Sequence, residues 1–202
     1  MTERYLRDSD KAVSIKQQDI AYVGAIWNVQ RDTFTMHHDD DVLTREYIDH
    51  PGAVAIIAVD DQQRIAMIRQ YRHPVGQECW EIPAGLLDHP DESALVTAQR
   101  ELAEEAALTA KTWSVLVDHY PSAGSSAEMI RIFLAQDLSP LPEAFQFERV
   151  GEEADLLFKW VPIDRALQAV MAGDIKNVNA VAGIMAAHLV MTGQQAARAV
   201  KD

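Results

Sequence analysis

The sequence predicts an α/β fold: a mixed sheet flanked by helices, preceded by a small antiparallel β-rich part at the N-terminus. Three observations lead there. Short apolar stretches rich in β-branched and aromatic residues recur along the chain, separated by turn residues, with few helical patterns among them. The run 52–59, GAVAIIAV, is continuously apolar, as a strand covered on both faces must be. The stretch 81–108, EIPAGLLDHPDESALVTAQRELAEEAAL, joins a strand-like start to a helical second half. Interleaved strands, hairpins and few helices point to a mixed sheet rather than a doubly wound parallel one.

In chain order, residues 19–36 and 42–50 read as short strands. HHDDD at 37–41 reads as the solvated turn between them rather than as a metal cluster. Residues 60–63 turn the chain, 64–71 return as the hairpin partner of 52–59, and Arg72, His73 and Pro74 end that strand. Residues 80–83 form another strand and lead into Gly85, the expected start of a tight loop. After the helix come a strand at 112–119, a loop at 120–128 and a strand at 129–136. The stretch 137–154 is polar and acidic, and 155–163 is the last strand. Asp164 is expected to cap a short helix to Ala172, ended by Gly173. A second helix runs from about Asn177 to Met191, where Ala182, Gly183, Met185 and Ala186 read as core packing.

Composition bounds the function. The 202 residues divide into a β-rich part at 1–50 and a main domain at 51–202, and a hydrophobic fraction of 48% is enough for a full core. A net charge of −13 argues against a nucleic-acid or anionic-membrane partner, since both want clustered Lys and Arg. A small polyanion would need a metal ion to neutralise it locally. Cys79 is the single cysteine, which excludes an internal disulfide and fits a reducing cytoplasm. Beside Trp80 it reads as a core or near-core residue, not a nucleophile. Residues 1–11 hold no apolar signal core, and no run approaches membrane-spanning length.

The helix at the end of the 81–108 stretch carries the chemistry. Leu95, Ala98, Leu102 and Ala106 recur at spacings of three and four and form one apolar stripe. Asp91, Glu92 and Ser93 place oxygen caps and negative charge at its start. Glu101, Glu104 and Glu105 stand at i, i+3 and i+4, so they project from nearly one side. Grouped carboxylates repel unless a cation lies among them, and an all-oxygen set suits magnesium or manganese. The plain alternative is a solvated helix with an Arg100–Glu104 ion pair.

Gly85, Glu92 and the run from Arg100 to Leu108 together resemble the signature of the Nudix hydrolases, G-x5-E-x7-R-E-U-x-E-E-x-G-U, where U is bulky and aliphatic. Two positions depart from it: one extra residue separates Gly85 from Glu92, and Ala107 stands where the family has glycine. The segments IRQYRHPVGQECWEIPAGLLD, PSAGSSAE and EEAD are similar to those of the ADP-ribose pyrophosphatase branch, its bacterial dimeric members above all. The resemblance implies an α/β/α sandwich and a magnesium-dependent enzyme, with manganese as the alternative ion. It implies cleavage of ADP-ribose to AMP and ribose 5-phosphate. Another nucleotide sugar such as GDP-mannose, or a non-catalytic ADP-ribose sensor, is the competing reading. The intact acid set and the lack of an appended DNA-binding segment disfavour the sensor.

The resemblance also assigns roles. Glu101, Glu105 and Glu104, with the backbone carbonyl of Ala84, would hold the metal, and Arg100 would orient the glutamates. Glu153, with Glu152 as second candidate, would be the base that takes the proton of the attacking water. Outside the family context that pair reads as a solvated acidic loop. Arg72 would contact the phosphates, or it is a surface arginine. Trp27 would stack on adenine, or it is a core tryptophan. Arg45, Glu46 and Leu86 are further substrate-contacting candidates. The N-terminal β-rich part would complete the pocket across a two-fold axis, which implies a homodimer.

Overall fold

The computed structural model describes residues 6–36, 41–142 and 156–200. They form two compact units: residues up to His50 together with Ser122–Ala127, and Pro51–Pro121 together with the chain from Glu128 onward.

The first unit is a three-stranded antiparallel sheet of β1 (Ser14–Val23), β2 (Asn28–Thr35) and β3 (Val42–Asp49), in that order. The turn between β1 and β2 needs Gly24, because a Cβ there would lie 2.2 Å from the Trp27 carbonyl oxygen. β1 begins at Ser14, ahead of the expected 19, because Lys16, Gln17 and Gln18 hide the strand behind a polar pattern. Backbone pairing with β2 recruits Gln17 and Gln18, with Gln18 opposite Asp32 and Lys16 at a register shift between Ile15 and Gln17. Ile48 bridges to Ser126, which ties the 122–127 segment to this unit.

The second unit is a sandwich. β4 (Ala53–Ala58) is buried along its whole length, as its unbroken apolar run requires. Its alternate residues serve different layers: Ala53, Ala55 and Ile57 join one hydrophobic cluster, and Val54, Ile56 and Ala58 the other. β5 (Arg64–Arg72) returns across a turn in which Asp60 accepts from the backbone N–H groups of Gln62 and Arg64. After a 3-10 turn at His73–Val75 come β6 (Gln77–Glu81), the short β7 (Ala84–Leu86) and α1 (Ala94–Ala106). Then follow β8 (Leu108–His119), β9 (Ile130–Pro140), β10 (Leu157–Pro162), α2 (Ile163–Met171), α3 (Val178–Met191) and β11 (Arg198–Ala199).

The main sheet runs β11-β8-β9-β4-β7, and the β4–β9 pair is parallel while its other pairs are antiparallel, so the sheet is mixed as expected. A second sheet runs β10-β5-β6. Ala98, Leu102 and Ala106 of α1 pack into one cluster, and Ala180, Ile184 and Ala187 of α3 into the other. The sandwich therefore has a helix on each side.

Several boundaries differ from the sequence reading. Gly85 opens no loop: it lies in β7, paired with Val54. β6 starts at Gln77 rather than 80, drawn into pairing by β5. β8 starts at Leu108 rather than 112, so Ala107 alone separates it from α1, and β9 runs on to Pro140 rather than ending at 136. Ser93 is the N-cap of α1 and accepts from the Val96 N–H, whereas Glu92 turns to Thr97 and Arg100 instead. Asp164 does not cap α2; Pro162 holds the N-cap position and Asp164 lies in the first turn, where its charge still complements the helix end. The two-residue β11 has no hydrophobic signal, and pairing with β8 creates it.

Candidate functional site

The site is built where β7 meets α1. Leu102 and Ala106 anchor one side of α1 in the core, so helical spacing turns Glu101, Glu104 and Glu105 toward the strand that precedes the helix. Glu105 is only 5% exposed, and its carboxylate accepts from the Ala84 N–H at 2.9 Å. Glu101 lies directly on Gly85: a Cβ on that residue would sit 2.0 Å from the Glu101 carboxyl carbon. Gly85 is thus glycine for close approach, not for an unusual backbone angle.

Arg100 organises the acids. Its Nη1 donates to Glu101 at 2.7 Å and to Glu104 at 3.1 Å, and its Nε donates to Glu92 at 3.4 Å. Burial alone would pull the Arg100 pKa down, but the charges of Glu101, Glu104 and Glu92 outweigh it and raise it. Three carboxylates therefore face one guanidinium, and the buried Glu105 carboxylate lies on the same side of α1. Such a surplus of hard oxygen donors fits a divalent cation of the magnesium class. Among the described residues no group of three or more His, Cys, Asp or Glu side chains is arranged to hold a metal ion. The fit therefore rests on the donor chemistry of Glu101 and Glu105 and on their anchoring to Ala84 and Gly85.

A second polar group lies on β5 and β6. Glu81 is 2% exposed and receives Arg72 with both ends of its guanidinium, Nε at 2.9 Å and Nη2 at 2.7 Å. Gln70 adds a third donor at 3.3 Å. A buried carboxylate needs such partners, so Glu81 fixes the direction of Arg72. Sequence reasoning gave Glu81 no role. Its signal was an acid in the otherwise apolar run Trp80, Glu81, Ile82, with the polar residues Gln70 and Arg72 alternating on the neighbouring strand β5.

The remaining candidates are placed as follows. Leu86, on β7, packs against the α3-side cluster. Trp27 stacks on His50 with ring centroids 4.3 Å apart. Arg45 and Glu46 are adjacent on β3 and so point to opposite faces. Arg45 donates to the Thr44 carbonyl, and Glu46 pairs with Arg31 at 2.9 Å. Cys79 is half-buried and free of disulfide. Glu152 and Glu153 lie outside the described residues. No helix among the described residues is long and apolar enough to cross a membrane.

The NUDIX domain model matches residues 49–180. Over 174 residues the chain is 45% identical to the ADP-ribose pyrophosphatase of Mycobacterium tuberculosis, covering 85% of this chain and 81% of that protein. It is 37% identical over 131 residues to the ADP-ribose pyrophosphatase of Bacillus subtilis, covering 65% of this chain and 69% of that one. Among solved structures it is similar to an ADP compounds hydrolase with a TM-score of 0.75 and 18% identity, covering 93% of this chain and 98% of that chain, a likeness of fold.

Proposed function

This chain belongs to the NUDIX domain family, and from that premise we propose that it hydrolyses the diphosphate of ADP-ribose to AMP and ribose 5-phosphate. The reaction class is hydrolysis of a phosphorus-containing anhydride. The observation that carries the reading is the anchoring of Glu105 to the Ala84 N–H and of Glu101 over Gly85.

The physical problem is a doubly negative diphosphate, whose charge resists attack by a nucleophile and is repelled by a protein of net charge −13. Glu101 and Glu105, with Glu104 and the Ala84 carbonyl beside them, would hold magnesium, with manganese as the alternative. An ion held there would supply neutralisation of the phosphate charge as the anhydride breaks. Arg100 keeps the carboxylates of Glu101 and Glu104 from swinging away from the strand. Water adds to one phosphorus, the bond from that phosphorus to the bridging oxygen breaks, and the water's proton passes to Glu153 or Glu152. Arg72, aimed by Glu81, supplies a donor to phosphate oxygens.

Trp27 would stack on the adenine, and Arg45, Glu46 and Leu86 are further candidate contacts. A homodimer is supported by β1, where Ile20, Tyr22 and Val23 are 55%, 64% and 72% exposed. A single cysteine without a disulfide supports a cytoplasmic location.

A substrate panel in Mg²⁺, Mn²⁺ and EDTA, run on the wild type and on Glu105→Gln, tests the reading. The expected result is metal-dependent release of AMP from ADP-ribose, reduced at least about a hundredfold in the variant. Preference for GDP-mannose would move the substrate. Binding of ADP-ribose with no hydrolysis of any nucleotide sugar would replace the enzyme by a sensor.

A further inference from the structure

The second unit holds a cavity of about 350 Å³ between α2 and the β10-β5-β6 sheet. It lies with the α3-side cluster, whereas α1 packs into the other, so the sheet separates it from the helix that carries Glu101 and Glu105. Strand alternation decides which side chains enter. Met67 pairs with Lys159 and Arg69 with Trp80, so Met67, Trp80 and Lys159 share the face turned to α2, while Trp160 packs on the opposite cluster. Buried Met67 forms an apolar floor, and half-buried Trp80 forms a wall, with the Arg69 guanidinium over its ring at 5.6 Å. Lys159, Arg165 and Asp174 line the same cavity and are exposed. Among the described residues these three side chains make no ion pair with one another or with a neighbour.

We propose that this cavity is a second ligand site, and that it takes a purine nucleoside 5′-monophosphate. An indole wall over an apolar floor suits a flat base. Two cations beside one cavity are unusual on a chain with 31 acidic and 18 basic residues, and they match a phosphate that is nearly dianionic at neutral pH. Asp174 can only accept hydrogen bonds, and ribose hydroxyls supply donors. The volume is at the lower end of small-molecule pockets, which accommodates a nucleotide but not a dinucleotide. The site rests on the cavity alone and not on the hydrolysis proposed above, although that hydrolysis would release a ligand of this class.

Titrating the full-length wild type with AMP, while following the four tryptophan indole N–H signals by NMR, tests the site. The Trp80 signal should shift and saturate. Adenosine and ribose 5-phosphate should each need at least about tenfold higher concentration, since each lacks one half of the recognition. Arg165→Glu and Lys159→Glu, both surface changes, should each weaken the Trp80 response about tenfold or more, with the far-UV spectrum unchanged. Glu101→Gln should leave the Trp80 response in place. An unmoved Trp80 signal overturns the site, and so does a response lost in Glu101→Gln but kept in Arg165→Glu. Neither outcome bears on whether ADP-ribose is hydrolysed.

Discussion

β4 and β1 are both strands that carry isoleucine and valine, yet every residue of β4 is buried and every residue of β1 is exposed. β4 has a helix layer over each face and strands along both edges. Among the described residues β1 pairs with β2 alone, and Ile15, Ile20, Tyr22 and Val23 are exposed. A three-stranded sheet becomes stable when its apolar face is covered. The second unit therefore encloses its own core and seats the acids of α1 against β7, whereas the first leaves the apolar side chains of β1 exposed.

The sharpest way to break that contrast is Gly85→Ala. The new methyl would overlap the Glu101 carboxyl, so a change of one carbon in a rigid strand has to displace an acid. The expected loss in kcat/KM for ADP-ribose is about a hundredfold or more, with the thermal transition nearly kept. An unchanged rate would mean that Glu101 has room to move and that the strand–helix junction is not the device described. Next in size is the opposite experiment on the open sheet. Ile20→Asp with Val23→Asp should weaken self-association at least about tenfold in sedimentation velocity, because two charges would enter an apolar contact. A sedimentation profile that does not change would remove β1 from the interface.

The same contrast separates what the sequence made legible from what it did not. Ala98, Leu102 and Ala106 declare α1 because the packing that buries them has the period of the helix itself. The unbroken 53–58 run declares β4 because both its faces are covered. Those signals are local. The reason for Gly85 is not, since it depends on Glu101 arriving from the next element. Glu81 became significant only when pairing of β5 with β6 brought Arg72 and Gln70 to it. The polar start of β1 was hidden for a related reason: with no core on its own unit to face, its residues carry no alternation to read. Glu101, Glu104, Glu105 and Arg100 were legible because their order follows helix spacing, and Ser93 because a cap is a one-turn affair.

A smaller effect is expected at Ala107. It ends α1 in the left-handed region, φ 53° and ψ 41°, with its N–H returned to the Ala103 and Leu102 carbonyls. That geometry costs an L-residue roughly 1–2 kcal/mol, and glycine escapes it while losing some unfolded-state entropy. Ala107→Gly should therefore stabilise the second unit by about 1 kcal/mol and raise its Tm by about 2–4 °C. A lower Tm would show that the methyl contributes more by packing than it costs by strain.

The smallest expected effect is a pH dependence. His119 ends β8, and burial lowers its pKa below the ordinary 6.5, only partly opposed by the Asn179 side chain and the charges of Glu128 and Asp118. Its Nε2 and the Asn179 Oδ1 are both buried without a hydrogen-bond partner in good geometry among the described residues, so the help from Asn179 is weaker than the burial. With the folded pKa below the unfolded one, the unfolded chain takes up a proton first as pH falls. The His119 contribution is thus complete above pH 6.5 and is lost as pH drops from there through the folded value. Asp118 next to it behaves differently. Burial raises its pKa, but bonds from Arg131 and Arg198 overcome that and lower it below 3.8. Its contribution persists until the acid limb, where falling pH protonates it. Urea unfolding midpoints across pH 7 to 5 should fall in the wild type and flatten in His119→Gln, while the decline below pH 4 remains in both. A slope between pH 7 and 5 that survives His119→Gln would assign the titration to another group.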